Sequence, residues 1–172
     1  AYSTTITVRN CTFEGNKNRA IYAYAYLDHN DTARLTVENS KFINNSTQST
    51  AYNAAGGAIY CYYYYSPATI TGCTFTGNTS GSYGGALSLH SDEAKISNCT
   101  FTGNESSGYA VFAQGSMASF KLVDSSISDC QRGINIQAGD KAAVTVSGNT
   151  IKNISGKPQN DGSAYGAAIQ LT

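Results

Sequence analysis

The sequence has no Trp, a single Met and only two Pro among 172 residues. Charge is also scarce, at 13% of residues, and balanced: eleven Lys and Arg against eleven Asp and Glu. A net charge of zero provides no basic surface of the kind that nucleic acid or an anionic membrane needs, so neither is expected as a partner. No apolar run approaches the roughly 18 residues that a membrane-crossing helix requires, so no membrane span is expected. No segment sustains a helical apolar period over ten or more residues. What is plentiful is Gly (17), Tyr (13), Asn, Ser and Thr, a composition suited to short strands and many turns.

The five cysteines are an odd number, so at least one thiol is expected to be free or paired to another molecule. Eight asparagines open Asn-x-Ser/Thr triplets: Asn10, Asn30, Asn44, Asn45, Asn78, Asn98, Asn104 and Asn153. The density of these triplets suits an extracellular chain, although an Asn-, Ser- and Thr-rich sequence also produces them by chance, and a start at Ala1 fits a processed, exported protein and a trimmed chain equally. The expected location, extracellular or at the cell surface in the cell envelope, rests mostly on the type of repeat that the chain carries.

One pattern returns six times. It is an apolar–x–apolar strand, then Asn or Gly, a small residue, and an aromatic or Ile anchor. Ile6–Asn16 (ITVRNCTFEGN), Thr69–Asn78 (TITGCTFTGN) and Lys95–Asn104 (KISNCTFTGN) are the clearest copies. Leu35–Asn45 is close; Phe120–Cys130 and Val144–Ile154 are degenerate. The anchors Phe13, Phe42, Phe75, Phe101, Ile127 and Ile151 recur every 24 to 33 residues, the period of a β-solenoid turn.

Each turn begins with a period-two strand, as in Ile6 and Val8 against Thr7 and Arg9. Asn10, Asn39, Gly72, Asn98, Asp124 and Gly148 then break it, residue types that tolerate corner geometry. Asn16, Asn45, Asn78 and Asn104 follow the anchors by three residues and are placed to form a hydrogen-bonded ladder. A second strand points Ile21, Ile59, Leu87, Val111, Ile134 and Ile169 inward. The expected fold is all-β: one domain over residues 1–172, a parallel β-helix of about six coils without a capping helix, roughly 30 Å long at about 4.8 Å per coil. Segments 24–33, 46–55, 81–83 and 155–165 are expected as surface inserts.

Gly-Gly-Ala-Ile at Gly56–Ile59 and Gly-Gly-Ala-Leu at Gly84–Leu87, paired with FEGN, FINN, FTGN and FTGN at the Phe anchors, resemble the repeat of chlamydial polymorphic membrane proteins. Similar repeats occur in adhesin-like surface proteins of bacteria and methanogenic archaea. The resemblance is strongest over residues 6–115 and implies a right-handed parallel β-helix displayed at a surface. In general character the chain also resembles envelope or sheath subunits of methanogens. The repeat specifies a fold far better than an activity.

Many β-helices cleave polysaccharides, chemistry that needs clustered carboxylates, or Ca²⁺ with an Arg base. The acids here are scattered, and no acid–base pair is discernible, so the chain is expected not to be an enzyme and to hold no cofactor or metal. Asp28–Asp31 and the His90–Glu93 segment are read as polar turns rather than sites.

Cys11, Cys73 and Cys99 fall in one column with Ser40 and Ser125. Cys73 and Cys99 sit on successive coils, close enough for a disulfide, although a pair of small buried thiols explains the column as well. Cys130 occupies the slot that Asn takes elsewhere. It is expected to be reachable and is the candidate for an intermolecular bridge.

Tyrosine carries the stronger signal. Tyr22 aligns with Tyr60 and Tyr24 with Tyr62, on the outward face. Tyr26 and Tyr64 extend the patch, and Phe112 lies in the Tyr22 column, two coils past Tyr60. Such a ladder either supports the sheet or marks a contact surface, with carbohydrate stacking as a third use. The strands run nearly to both ends of the sequence, which predicts edges that pair with neighbouring copies or belong to a longer solenoid. The expectation is a self-assembling subunit of a cell-surface layer, sheath or filament. The alternative is a β-helical adhesin segment binding a host or carbohydrate ligand.

Overall fold

The fold is seen in a computed structural model that describes residues 3–24, 32–48, 55–106, 108–115, 117–156 and 168–172, apart from the side chains of Thr32 and Tyr64. Strands follow one another around a common core, and every pairing between them is parallel. The first strand of each coil is supplied by β1 (Ser3–Arg9), β4 (Thr32–Glu38), the later parts of β7 (Ile59–Thr71) and β10 (Leu87–Ser97), β14 (Ser119–Val123) and β17 (Ala143–Ser147). The six-stranded anchor sheet stacks β2 (Thr12–Glu14), β5 (Lys41–Ile43), β8 (Thr74–Thr76), β11 (Thr100–Thr102), β15 (Ser126–Ser128) and β18 (Thr150–Lys152). Three two-residue strands, β6 (Ser46–Thr47), β9 (Thr79–Ser80) and β12 (Glu105–Ser106), make a short third sheet. Last in each coil come β3 (Ile21–Tyr24), the early parts of β7 and β10, β13 (Val111–Gln114), β16 (Ile134–Gln137) and β19 (Ile169–Leu171). Because β7 and β10 run on into the following coil, the first and last faces join as one ten-stranded sheet.

The repeat dictates the register. Phe13, Phe42, Phe75, Phe101, Ile127 and Ile151 pair in that order. The four Phe rings stack face to face, with centroids 5.0, 4.9 and 4.7 Å apart. Val37, Ile70, Ile96 and Leu122 form a second buried column. Ile21, Ile59, Leu87, Val111, Ile134 and Ile169 form a third. Tyr63 turns inward and joins the core, a placement the column alignment did not indicate.

Both corners of each coil are left-handed. Asn10, Asn39, Gly72, Asn98, Asp124 and Gly148 have φ between 48° and 67°, as the sequence predicted for the first corner. Gly15, Asn44, Gly77, Gly103, Asp129 and Asn153, two residues past each anchor, make the second corner.

The asparagine ladder is continuous. Asn16 donates from Nδ2 to Asn45 Oδ1 at 2.7 Å, Asn45 to Asn78 at 3.0 Å, and Asn78 to Asn104 at 2.9 Å. Each Nδ2 of Asn45, Asn78 and Asn104 also donates to the carbonyl of the Phe anchor on the preceding coil. Stacked amides thereby satisfy backbone groups that the turn would otherwise bury unpaired.

The Gly-Gly-Ala motif has a separate cause. Its first glycine is left-handed, at φ 73° for Gly56 and 66° for Gly84. Its second lies against the next coil: a Cβ on Gly57 would overlap the carbonyl oxygens of Thr79 and Gly85. The segment expected as an insert from Ser46 is partly ordered sheet, since β6 pairs with β9 directly after the asparagine ladder.

Candidate functional site

The last face of each coil places alternate residues outward, and those of β3, β7, β10 and β13 build an aromatic cluster. Register sets Tyr22 against Tyr60 and Tyr24 against Tyr62, then Ser88 and His90, then Phe112. The Tyr22 and Tyr60 rings are 5.6 Å apart, and those of Tyr24 and Tyr62 are 5.2 Å apart. Within a coil, Tyr22 lies 5.9 Å from Tyr24 and Tyr60 lies 6.1 Å from Tyr62. All four contacts are stacked, so the rings form a two-by-two grid. The Arg19 guanidinium sits 4.9 Å from the Tyr22 centroid and 5.2 Å from that of Tyr60, in cation–π range.

The grid is only partly a surface. Tyr22 and Tyr24 are 54% and 48% exposed, and Tyr62 is half-buried. Tyr60 and Phe112 are buried, at 2% and 1%, against the expectation of one outward patch. Tyr83, in the turn before the second Gly-Gly-Ala, stacks on Phe112 at 4.7 Å and so covers it. Phe112 therefore belongs to the support and not to the contact face. Tyr26 and Asp28–Asp31 fall outside the described residues, as does the side chain of Tyr64.

The sequence predicts a polar turn at His90–Glu93, yet β10 continues through these residues. His90 is buried, 5.2 Å from Tyr62 and 5.9 Å from Phe112, ring to ring. Burial lowers its pKa from 6.5 to about 4, which keeps it neutral at physiological pH. The register signal was available, because His90 stands in the column of Tyr24 and Tyr62. Arg19 and Tyr83 had no such signal, since both come from turns.

The cysteines form no disulfide: all five are free. Cys73 N donates to Cys99 Sγ at 3.4 Å, and Cys99 N to Ser125 Oγ at 3.0 Å. Cys11 N donates to Ser40 Oγ, and Ser125 N to Asn149 Oδ1, in the same slot. The column is thus a ladder of side-chain acceptors for backbone N–H groups, a role open to Cys, Ser and Asn alike. The shared hydrogen bond favours the Cys73 thiolate and disfavours that of Cys99, so their pKa values move apart. Cys130 is buried, contrary to the expectation that it is reachable. It continues the asparagine column, and burial pushes its pKa up. Cys11 is the exposed thiol.

Among the described residues, no group of three or more His, Cys, Asp or Glu side chains converges. A family model described as a right-handed β-helix region matches residues 3–171. The chain belongs to that family. The match fixes the hand of the coil and extends over all six anchors of this β-helix. No curated protein and no solved structure matches it. The right-handed β-helix is a scaffold, and its use depends on what its faces carry.

Proposed function

We propose that this β-helix is a non-catalytic structural protein of the cell surface, a subunit of an extracellular layer, sheath or filament that binds further copies of itself through its tyrosine face. One observation carries this reading: Tyr22 and Tyr24 are exposed while their rings are held in a stacked grid by Tyr60, Tyr62 and Arg19. Aromatic side chains already fixed in place lose little conformational freedom on contact, which favours binding. Zero net charge lets copies approach without long-range repulsion. The Gly-Gly-Ala and Phe-x-x-Asn motifs, shared in kind with polymorphic membrane proteins and adhesin-like proteins, support surface display.

Electron microscopy and sizing of the purified protein test this. Ordered polymers or closed oligomers that disappear in the Tyr22→Ser/Tyr24→Ser variant are expected. A monomer under all conditions rejects the reading.

A second reading, a β-helical segment of an adhesin with a carbohydrate or host-surface ligand, is favoured by a charged groove elsewhere on the molecule. That groove is lined by residues of β4, β7, β10 and β14.

A further inference from the structure

The fold sorts the Asn-x-Ser/Thr triplets into two groups, Asn30 alone lying outside the described residues. Asn45, Asn78 and Asn104 belong to the ladder and are buried, at 0%, 0% and 1% exposure. The Nδ2 of each donates two hydrogen bonds. The hydroxyl residues that complete these triplets, Thr47, Ser80 and Ser106, are buried too.

Asn10, Asn44, Asn98 and Asn153 differ on both counts. All four are exposed and stand at left-handed corners, with φ between 52° and 55°. Their triplets end in Thr12, Ser46, Thr100 and Ser155, of which Ser46 is half-buried and the others are exposed. Among the described residues, the Nδ2 groups of Asn10, Asn44 and Asn98 donate to no other side chain or carbonyl. That of Asn153 donates to Asp129 Oδ1 at an exposed position.

We infer that these four corners are acceptor sites for N-linked glycans and that the three ladder asparagines are not. The donor is an oligosaccharide carried on a lipid pyrophosphate or phosphate, and the transfer is a substitution at C1 of its first sugar. Nδ2 forms the new C–N bond as the C1–O bond to phosphate breaks. The phosphate leaves with the electron pair, and the proton that Nδ2 gives up goes to a base of the transferase. Such an enzyme reads an amide and the hydroxyl two residues on. Only at the corners are both within reach.

The ladder shows why the distinction is strict. Both Nδ2 hydrogens of Asn78 are committed, to the carbonyl of Phe42 and to Asn104 Oδ1. A glycosidic bond takes one of them, and coils about 4.8 Å apart leave no room for a sugar. A chain modified there before folding could not close its ladder, so transfer follows folding.

The corners also place the glycans. Asn10 and Asn98 share the first-corner column, about 14 Å apart along the axis, and Asn44 and Asn153 share the second, about 19 Å apart. These columns border the anchor sheet, and none of the four lies on the last face, which carries the tyrosine grid. Sugars there coat the anchor side and leave the proposed contact face bare. The inference rests on the cell-surface reading, because this modification belongs to exported chains. Its test on the purified chain needs neither export nor assembly, so the two can fail separately.

The folded chain is incubated with a single-subunit oligosaccharyltransferase that accepts Asn-x-Ser/Thr, its lipid-linked donor, and a free Asn-x-Thr tripeptide as control acceptor. Mass spectrometry of the digested product reads occupancy at each asparagine. Glycan is expected at Asn10, Asn44, Asn98 and Asn153, with none at Asn45, Asn78 or Asn104 and an unchanged β-sheet circular dichroism. Thr100→Ala should lose occupancy at Asn98 alone, and Thr100→Ser should retain it. A corner that stays bare while the tripeptide is modified overturns the assignment at that corner. Glycan on a ladder asparagine of a chain with native circular dichroism, or at Asn98 in Thr100→Ala, overturns the sorting.

Discussion

Asn78 donates twice to one atom of Asn104: its backbone N lies 3.0 Å from Asn104 Oδ1 and its Nδ2 lies 2.9 Å away. Asn78 Oδ1 in turn accepts from the backbone N and the Nδ2 of Asn45, both at 3.0 Å. A side chain of this kind serves three coils at once. Replacing Asn78 with Ala strands two buried donors on Asn45 and frees the carbonyl of Phe42, which Nδ2 also reaches at 2.9 Å. The expected loss is about 3 kcal/mol or more, from the cost of unpaired buried polar groups. Asn16 is exposed and only donates upward to Asn45, so Asn16→Ala should cost less than about 1 kcal/mol. Urea denaturation of the two variants measures the contrast.

The Gly-Gly-Ala motif gives a second contrast. Gly57→Ala places a methyl group onto backbone oxygens of Thr79 and Gly85, which cannot swing away. Gly15→Ala meets no atom within 4 Å and incurs only the strain of φ 67°. Gly57→Ala should lower stability by about 2 kcal/mol or more and Gly15→Ala by about 1 kcal/mol. Thermal midpoints of both variants check the order, and equal midpoints would contradict the close packing of coils at Gly57.

Stability should fall on acidification below the pKa of a free histidine. His90 has a folded pKa of about 4 against 6.5 unfolded, so between those values the unfolded chain binds the extra proton. The stabilisation from keeping His90 neutral is fully absent below about pH 4 and grows as pH rises to about 6.5. Comparing denaturation at pH 7 and pH 4.5, the wild type should lose about 2 kcal/mol more than His90→Gln. A pH dependence identical in the two proteins would remove His90 as its source.

Thiol accessibility separates the cysteines. Cys11 is exposed, while Cys61, Cys73, Cys99 and Cys130 are buried. Burial also pushes the Cys61 pKa up to about 12, leaving no useful thiolate at neutral pH. Under reducing conditions followed by rapid alkylation, the native protein should label once, at Cys11, and the denatured protein five times. Early labelling of Cys130 would show that it is reachable after all.

Much of the coil is legible in the sequence because its determinants are local and repeated. The Phe anchors, the first corners at Asn10, Asn39, Gly72, Asn98, Asp124 and Gly148, and the Asn16–Asn104 ladder all stand where spacing puts them. The right hand of the helix is shown by the family match. The contact surface is less legible, since exposure depends on what lies over a residue. Phe112 faces outward by parity yet is covered by Tyr83, from a turn of the preceding coil. Cys130 sits in a turn slot, but that slot is the buried end of a hydrogen-bonded column. Parity gives direction, and covering groups from turns have no periodic signature.

Sedimentation equilibrium across a range of protein concentrations tests the assembly reading most directly. The wild type should show a mass that rises with concentration above its 18.1 kDa monomer, while Tyr22→Ser/Tyr24→Ser remains monomeric and keeps the β-sheet circular dichroism of the folded protein. A wild type that stays at the monomer mass, or a double variant that associates as strongly, would contradict it.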